Sequence, residues 1–299
     1  MDIAASLHLP EDPKAASDLI FAIPGGGYTK SYWHSPKLAE HGYSFAERLT
    51  GRGFAVLGVD VLGTGASSRP ANADDLSLRT LAAANDAVAR QVRERGVGGL
   101  PASARMIGVG HSMGGAALIV QQGVFGSFDA IGVLGFTNQF VKGVYQPHER
   151  EAELTPEERT EWARAHVPQS SWGRPWPEIE EYFVLPRANL RSWFHLPDVP
   201  DWVVELEEAE ATVSPRTVVL ESVTPSSTAS AAAEISSPVF LAFGEQDVSP
   251  DIHVEVQTYP KATDVTTFLL AGSAHCHNYA TSRTLLWDRI AGWIRSLPA

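Results

Sequence analysis

Met106-Ile107-Gly108-Val109-Gly110-His111-Ser112-Met113-Gly114-Gly115-Ala116-Ala117-Leu118-Ile119-Val120-Gln121-Gln122 is the stretch that decides how this chain reads. The apolar run Met106–Val109 predicts a buried strand, and Gly115–Gln122 predicts a helix. Between them lies Gly-x-Ser-x-Gly, so a strand, a very tight turn and a helix meet at Ser112. The flanking glycines lack a Cβ. Strand and helix can then approach closely while the serine backbone takes a strained conformation. Such a turn pushes the hydroxyl out over the sheet edge. The helix N-terminus behind it offers backbone N–H groups and a positive dipole end to a developing oxyanion. Ser112 is the candidate nucleophile, and a plain Gly-rich turn is the alternative reading.

The same rhythm extends in both directions. Asp18–Ile23 predicts a strand ending at Pro24-Gly25-Gly26-Gly27, and Phe54–Val59 another ending at Asp60. A helix is predicted over Lys37–Thr50, stopped by Gly51 and Gly53. Leu81, Ala84, Val88 and Val92 form a helical stripe that ends at Gly96. Further strands are predicted at Ala130–Phe136, Val239–Phe243 and Val265–Leu270, with a last helix from about Thr281 to Arg295. Thr217–Leu220 and Ser226–Ala233 read as helix. Apolar strands alternating with helices predict a doubly wound, mostly parallel α/β sheet covered on both faces.

Residues 140–215 break this rhythm and read as an inserted helical cap on a core made of 1–139 and 216–299. They hold Trp162, Trp172, Trp176, Trp193 and Trp202, and eight prolines between positions 147 and 200 that predict short helices joined by kinked loops. Glu149–Glu210 carries fifteen acids and six arginines, which is most of the net charge of −12.

A serine hydroxyl needs a base to take its proton, and the base needs a third group to orient it. Asp247 follows the Val239–Phe243 strand, and His275 follows Val265–Leu270. Groups at the C-terminal ends of parallel strands converge despite large sequence separation. Glu245 and Glu221 are rivals for the acid by position. His277 competes with His275, and with His275 as base it becomes a pocket or packing residue. His275-Cys276-His277 invites a metal reading, but no third or fourth ligand follows with recognisable spacing, so no metal is expected. His111 is expected behind the turn and Asp60 as an anchor of its own turn. Pro24–Gly27 lacks the Gly-x-Gly-x-x-Gly spacing of a nucleotide loop.

These motifs, in this order, resemble the α/β-hydrolase superfamily over residues 18–136 and 217–296. The resemblance rests on Pro24–Gly27, Asp60–Ser67, Gly110–Gly114, Gly244-Glu245-Gln246-Asp247 and Gly272-Ser273-Ala274-His275. Gly-His-Ser-Met-Gly-Gly at 110–115 is similar to the turn of capped esterases, lactonases and thioesterases. The resemblance implies Ser112 as nucleophile, His275 as base, Asp247 as acid, and Gly26 and Met113 N–H groups as oxyanion donors, with Gly27 as the alternative to Gly26. It implies no cofactor. The family usually has His-Gly where this chain has Pro24-Gly25. With so little chain ahead of Asp18, the antiparallel first strand of an eight-stranded sheet is expected to be absent. Gly27, Tyr28, His111, Trp172, Trp176, Trp193 and His277 are expected around the substrate.

A serine at this turn implies an acyl-enzyme, hence attack on an ester, lactone, thioester or activated amide. Tryptophans suit bulky apolar ligands, and an acidic surround disfavours polyanions. A neutral, bulky, apolar ester or lactone is therefore the expected substrate. Thioester hydrolysis, acyl transfer, perhydrolysis and ligand binding without turnover stay open. No basic block suits nucleic acid. No run approaches the roughly 20 apolar residues of a membrane span. Met1–Ser6 lacks signal-peptide character, and Cys276 is the single cysteine. A cytoplasmic location is expected, and self-association is left open.

Overall fold

A computed structural model describes residues 1–298. Strands β1 (Ala5–His8), β2 (Asp18–Ile23), β3 (Ala55–Val59), β4 (Arg105–His111) and β5 (Ala130–Leu134) come first along the chain. Two three-residue strands, β6 (Tyr182–Val184) and β7 (Val213–Pro215), form a separate antiparallel pair. β8 (Val239–Gly244) and β9 (Val265–Leu270) complete the seven-stranded main sheet, ordered β1-β3-β2-β4-β5-β8-β9. All its pairings are parallel except β1 with β3. Every residue of β2, β3, β5 and β8 is buried, as continuous apolar strands covered on both faces must be.

The antiparallel strand expected to be absent is therefore present. Ala5–His8 is enough chain to pair with Val59–Val56, and the sheet has seven strands. The single helix read over Lys37–Thr50 is two, α1 (Pro36–Ala39) and α2 (Phe45–Thr50). Gly42 between them takes φ +76, and the Ser44 hydroxyl caps α2 by accepting the Glu47 N–H. Helix α3 (Leu78–Arg95) starts from a Ser77–Thr80 capping box, a turn earlier than its apolar stripe suggests. Helix α4 (Met113–Phe125) follows Ser112.

Between β5 and β8 the chain leaves the sheet and forms α5 (Pro156–Trp172), α6 (Arg187–Phe194), α7 (Asp201–Ala209) and α8 (Arg216–Val223), with the β6–β7 pair among them. Ser226–Ala233 supplies only the short α9 (Ala229–Ala232), because Ser226 takes φ +61. After α10 (Ile252–Glu255) and β9, helix α11 (Arg283–Ser296) packs Trp287 and Trp293 into the core. This topology places the loops after β2, β4, β8 and β9 at one end of the sheet. The segment between β5 and β8 folds over that end.

Candidate active site

At the end of β4 the backbone turns into α4 within one residue. Ser112 pays for this with φ +53, ψ −124, a region that side-chain-bearing residues avoid. The surrounding glycines are needed for contact rather than flexibility. A Cβ on Gly110 would meet the Gly114 carbonyl, and one on Gly114 would meet the carbonyls of Ile23 and Pro24. The turn is held from below by the Ser112 N–H, which donates to the Leu134 carbonyl at 2.8 Å.

Ser112 Oγ lies 2.9 Å from His275 Nε2, and His275 Nδ1 lies 2.8 Å from Asp247 Oδ1. With Nδ1–H donated to the carboxylate, Nε2 is left to accept the serine proton. Asp247 accepts four hydrogen bonds in all: Val248 N–H and His275 at Oδ1, Gly244 N–H and His277 Nε2 at Oδ2. Burial alone would raise its pKa. The two histidines overcome that and hold its carboxyl well below the usual carboxylate range. Of the rival acids, Glu245 accepts the Gly272 N–H. Glu221 accepts the Leu78 N–H at the start of α3, where burial pushes its carboxyl up.

His277 is not on the cavity wall. It is fully buried beneath His275, 2.7 Å from Asp247 Oδ2. The expectation of a substrate contact is corrected, because the loop after β9 turns both histidines onto one carboxylate. Cys276 between them faces away, its Sγ 3.1 Å from the Tyr28 hydroxyl, and burial pushes its thiol pKa up. His111 stacks on Tyr32 at 4.6 Å and donates from Nε2 to the His275 carbonyl. Burial first, then the neighbouring His275 and His277, hold its pKa well below the ordinary histidine value, so it stays neutral.

Gly26 and Gly27 differ in their hydrogen bonds. Gly27 N–H donates to Ser214 Oγ at 2.7 Å and is engaged. Among the described residues the Gly26 N–H has no protein acceptor. A Cβ on Gly26 would lie 3.6 Å from Met113 Sδ, and the Met113 N–H opens α4 without an intrahelical partner.

In front of Ser112 lies a small apolar cavity of about 50 Å³. Gly26, Tyr28, His111, Met113, Trp172 and Trp193 line it, as do Val144, Leu185, Leu190, Phe194, Val219 and Val223. The aliphatic lining residues escaped the sequence reading, since nothing in their spacing separates a cavity wall from core. Trp193 also stacks on the His275 ring at 4.3 Å. Gly27 lies behind the wall, and Trp176 is remote. Trp176 is half-buried against the core and packs under the guanidinium groups of Arg164 and Arg216, so the expected substrate contact is corrected to cation–π packing. Trp162 packs with His148 and His166, and Trp202 with His41 and Tyr43. Two of the five tryptophans of the inserted segment reach the cavity.

Among curated proteins, no sequence matches this chain significantly. Solved structures share its fold at low identity. An esterase of Exiguobacterium antarcticum is 15% identical, with 98% of this chain and 96% of that one covered and a TM-score of 0.60. A thermophilic esterase of Thermogutta terrifontis is 16% identical, with 98% and 93% covered and a TM-score of 0.59. MenH of S. aureus is 14% identical, with 97% of both chains covered and a TM-score of 0.62. The sequence profile of the alpha/beta hydrolase family matches residues 19–285, nearly the whole span from β2 into α11, and the chain belongs to that family.

Proposed function

We propose that the protein is a serine hydrolase that cleaves a carboxylic ester or lactone of a neutral, apolar molecule through an acyl-enzyme. The observation that carries this reading is the unbroken chain Ser112–His275–Asp247, at 2.9 and 2.8 Å, facing an apolar cavity. Ser112 Oγ attacks the carbonyl carbon as His275 Nε2 takes its proton. Asp247 orients the ring and stabilises the imidazolium. The N–H groups of Gly26 and Met113 receive the charge that develops on the carbonyl oxygen. His275 returns the proton to the leaving alcohol, then activates the water that releases the acid.

The cavity refines the substrate. Its lining suits an apolar acyl group, but its room is small beside the roughly 300–1,000 Å³ of drug-sized ligand sites. With residues 140–215 seated as they are, a compact acyl group fits the space better than the bulky one expected from the tryptophan count. Twelve of the fifteen acids between Glu149 and Glu210 are exposed, a negative surround that disfavours anionic substrates.

The test is fluorophosphonate labelling with a panel of short- and long-chain esters, lactones and acyl-CoA thioesters. Label on Ser112 that blocks turnover, with short neutral esters preferred, supports the reading. Turnover that survives full labelling, or a clear preference for acyl-CoA at low salt, refutes it.

A further inference from the structure

Gly27 is gripped on both of its backbone groups by residues of the inserted segment. Its N–H donates to Ser214 Oγ at 2.7 Å. Its carbonyl accepts from Arg187 Nη2 at 2.9 Å and from the Thr212 N–H at 3.0 Å. The grip is tailored to glycine. Gly27 has φ +75, and a Cβ there would lie 3.1 Å from Arg187 Nη2 and 3.3 Å from Leu185 Cδ1. Ser214 is fully buried on β7, and Arg187 at the start of α6 is 8% exposed. The guanidinium lies 4.1 Å over the Tyr28 ring and 5.1 Å from that of Phe194. Its Nη1 is 3.5 Å from Glu207, a buried carboxylate that also meets His195 Nε2 at 3.0 Å. A buried charge of this kind, costly to desolvate, is anchored from several sides and has little freedom to move.

We propose that the inserted segment completes the oxyanion site: Arg187 and Ser214 are positioning residues that hold Gly27 by its two peptide groups, and so fix Gly26 with its N–H free beside Ser112. The inference rests on the serine-hydrolase reading above. Without the segment, the run Gly25-Gly26-Gly27 has no side chains to order it, and glycine is the residue that loses most freedom when fixed. With it, one donor of the oxyanion site is preorganised, which is the condition for electrostatic stabilisation of a transition state. The same segment closes the cavity through Trp193 and Leu190. Seating it over the substrate and ordering the oxyanion loop are then one event.

The test compares Ser214→Ala and the double variant Arg187→Met/Glu207→Gln with the wild type. The double variant avoids leaving Glu207 as an unpaired buried charge. Two ligands report on the site: an aryl trifluoromethyl ketone and the matching secondary alcohol. Ser112 Oγ bonds to the ketone carbon, its proton passes to His275, and the carbonyl electron pair becomes an oxyanion. The alcohol fills the cavity without generating one. The expected result is folded variants with kcat and ketone affinity lowered together by about 10–100-fold, below the ~10²–10³ typical of deleting a donor outright. KM and alcohol affinity stay at wild-type values. Should the double variant fail to fold, Ser214→Ala decides alone. Wild-type kcat and ketone affinity in the folded variants would overturn the proposal and leave the serine-hydrolase reading standing. So would equal weakening of ketone and alcohol. A wild type that binds the ketone no more tightly than the alcohol overturns both.

Discussion

His277→Ala separates a residue that holds the acid from one that holds the substrate. In the folded protein His277 supplies one of four hydrogen bonds to Asp247, at 2.7 Å, and lies off the cavity wall. Its loss leaves Oδ2 with the Gly244 N–H alone. A hydrogen bond to a charged group is worth about 1.5–3 kcal/mol. If all of that were lost in the transition state, kcat would fall about 10–150-fold at ~1.4 kcal/mol per decade. Three donors remain, so the loss stays well below the ~10⁴ expected when the acid itself is neutralised. KM should not move. Steady-state kinetics on a p-nitrophenyl ester, with the fluorophosphonate labelling rate of Ser112 as a second measure, gives both constants. His277→Gln, whose amide can donate to the same oxygen, should recover part of the rate. A raised KM with unchanged kcat would return His277 to the substrate pocket and refute the reasoning, as would no change in either constant.

Ser112→Ala should lower kcat by about 10⁴–10⁶ with an unchanged thermal melt, and a tenth of wild-type rate would exclude the acyl-enzyme. Asp247→Asn should cost on the order of 10⁴ in kcat, while Glu245→Gln should cost little; the reverse would move the acid. Trp172→Ala should widen the cavity and shift kcat/KM towards longer acyl chains, whereas Trp176→Ala, half-buried away from the cavity, should leave the chain-length profile as it is. His111 stays neutral in the fold with a pKa well below 6.5, so the unfolded chain binds the extra proton first. Its contribution is fully present above pH ~6.5 and falls by up to about 1.4 kcal/mol per pH unit below that. Urea unfolding at pH 7.5 and 5.5 should show a shallower acid-side loss in His111→Gln than in the wild type, and identical slopes would count against a neutral buried histidine.

The parts of this site that the sequence announces share one property: each is local. Ser112 sits between two glycines where a strand meets a helix. Asp247 follows the buried apolar strand β8, and His275 follows the half-exposed edge strand β9. Parallel topology then brings three such ends together without further information. Residues 140–215 follow no such rule. β6 and β7 have three residues each, too few for alternation to register, and Pro168 lies inside α5, where composition argues for a break. Composition could say that the segment holds five tryptophans. It could not say that Trp172 and Trp193 face inward while Trp176 lies between two arginines, because that depends on how the segment folds back. The contacts of Gly27 with Arg187 and Ser214 cross 160 and 187 residues of chain, and those between His277 and Asp247 cross 30. The proposed reacting groups are thus written in short motifs. The groups packed around them come from elsewhere in the chain, and on the proposed roles a substitution at Arg187, Ser214 or His277 lowers kcat while every motif remains intact.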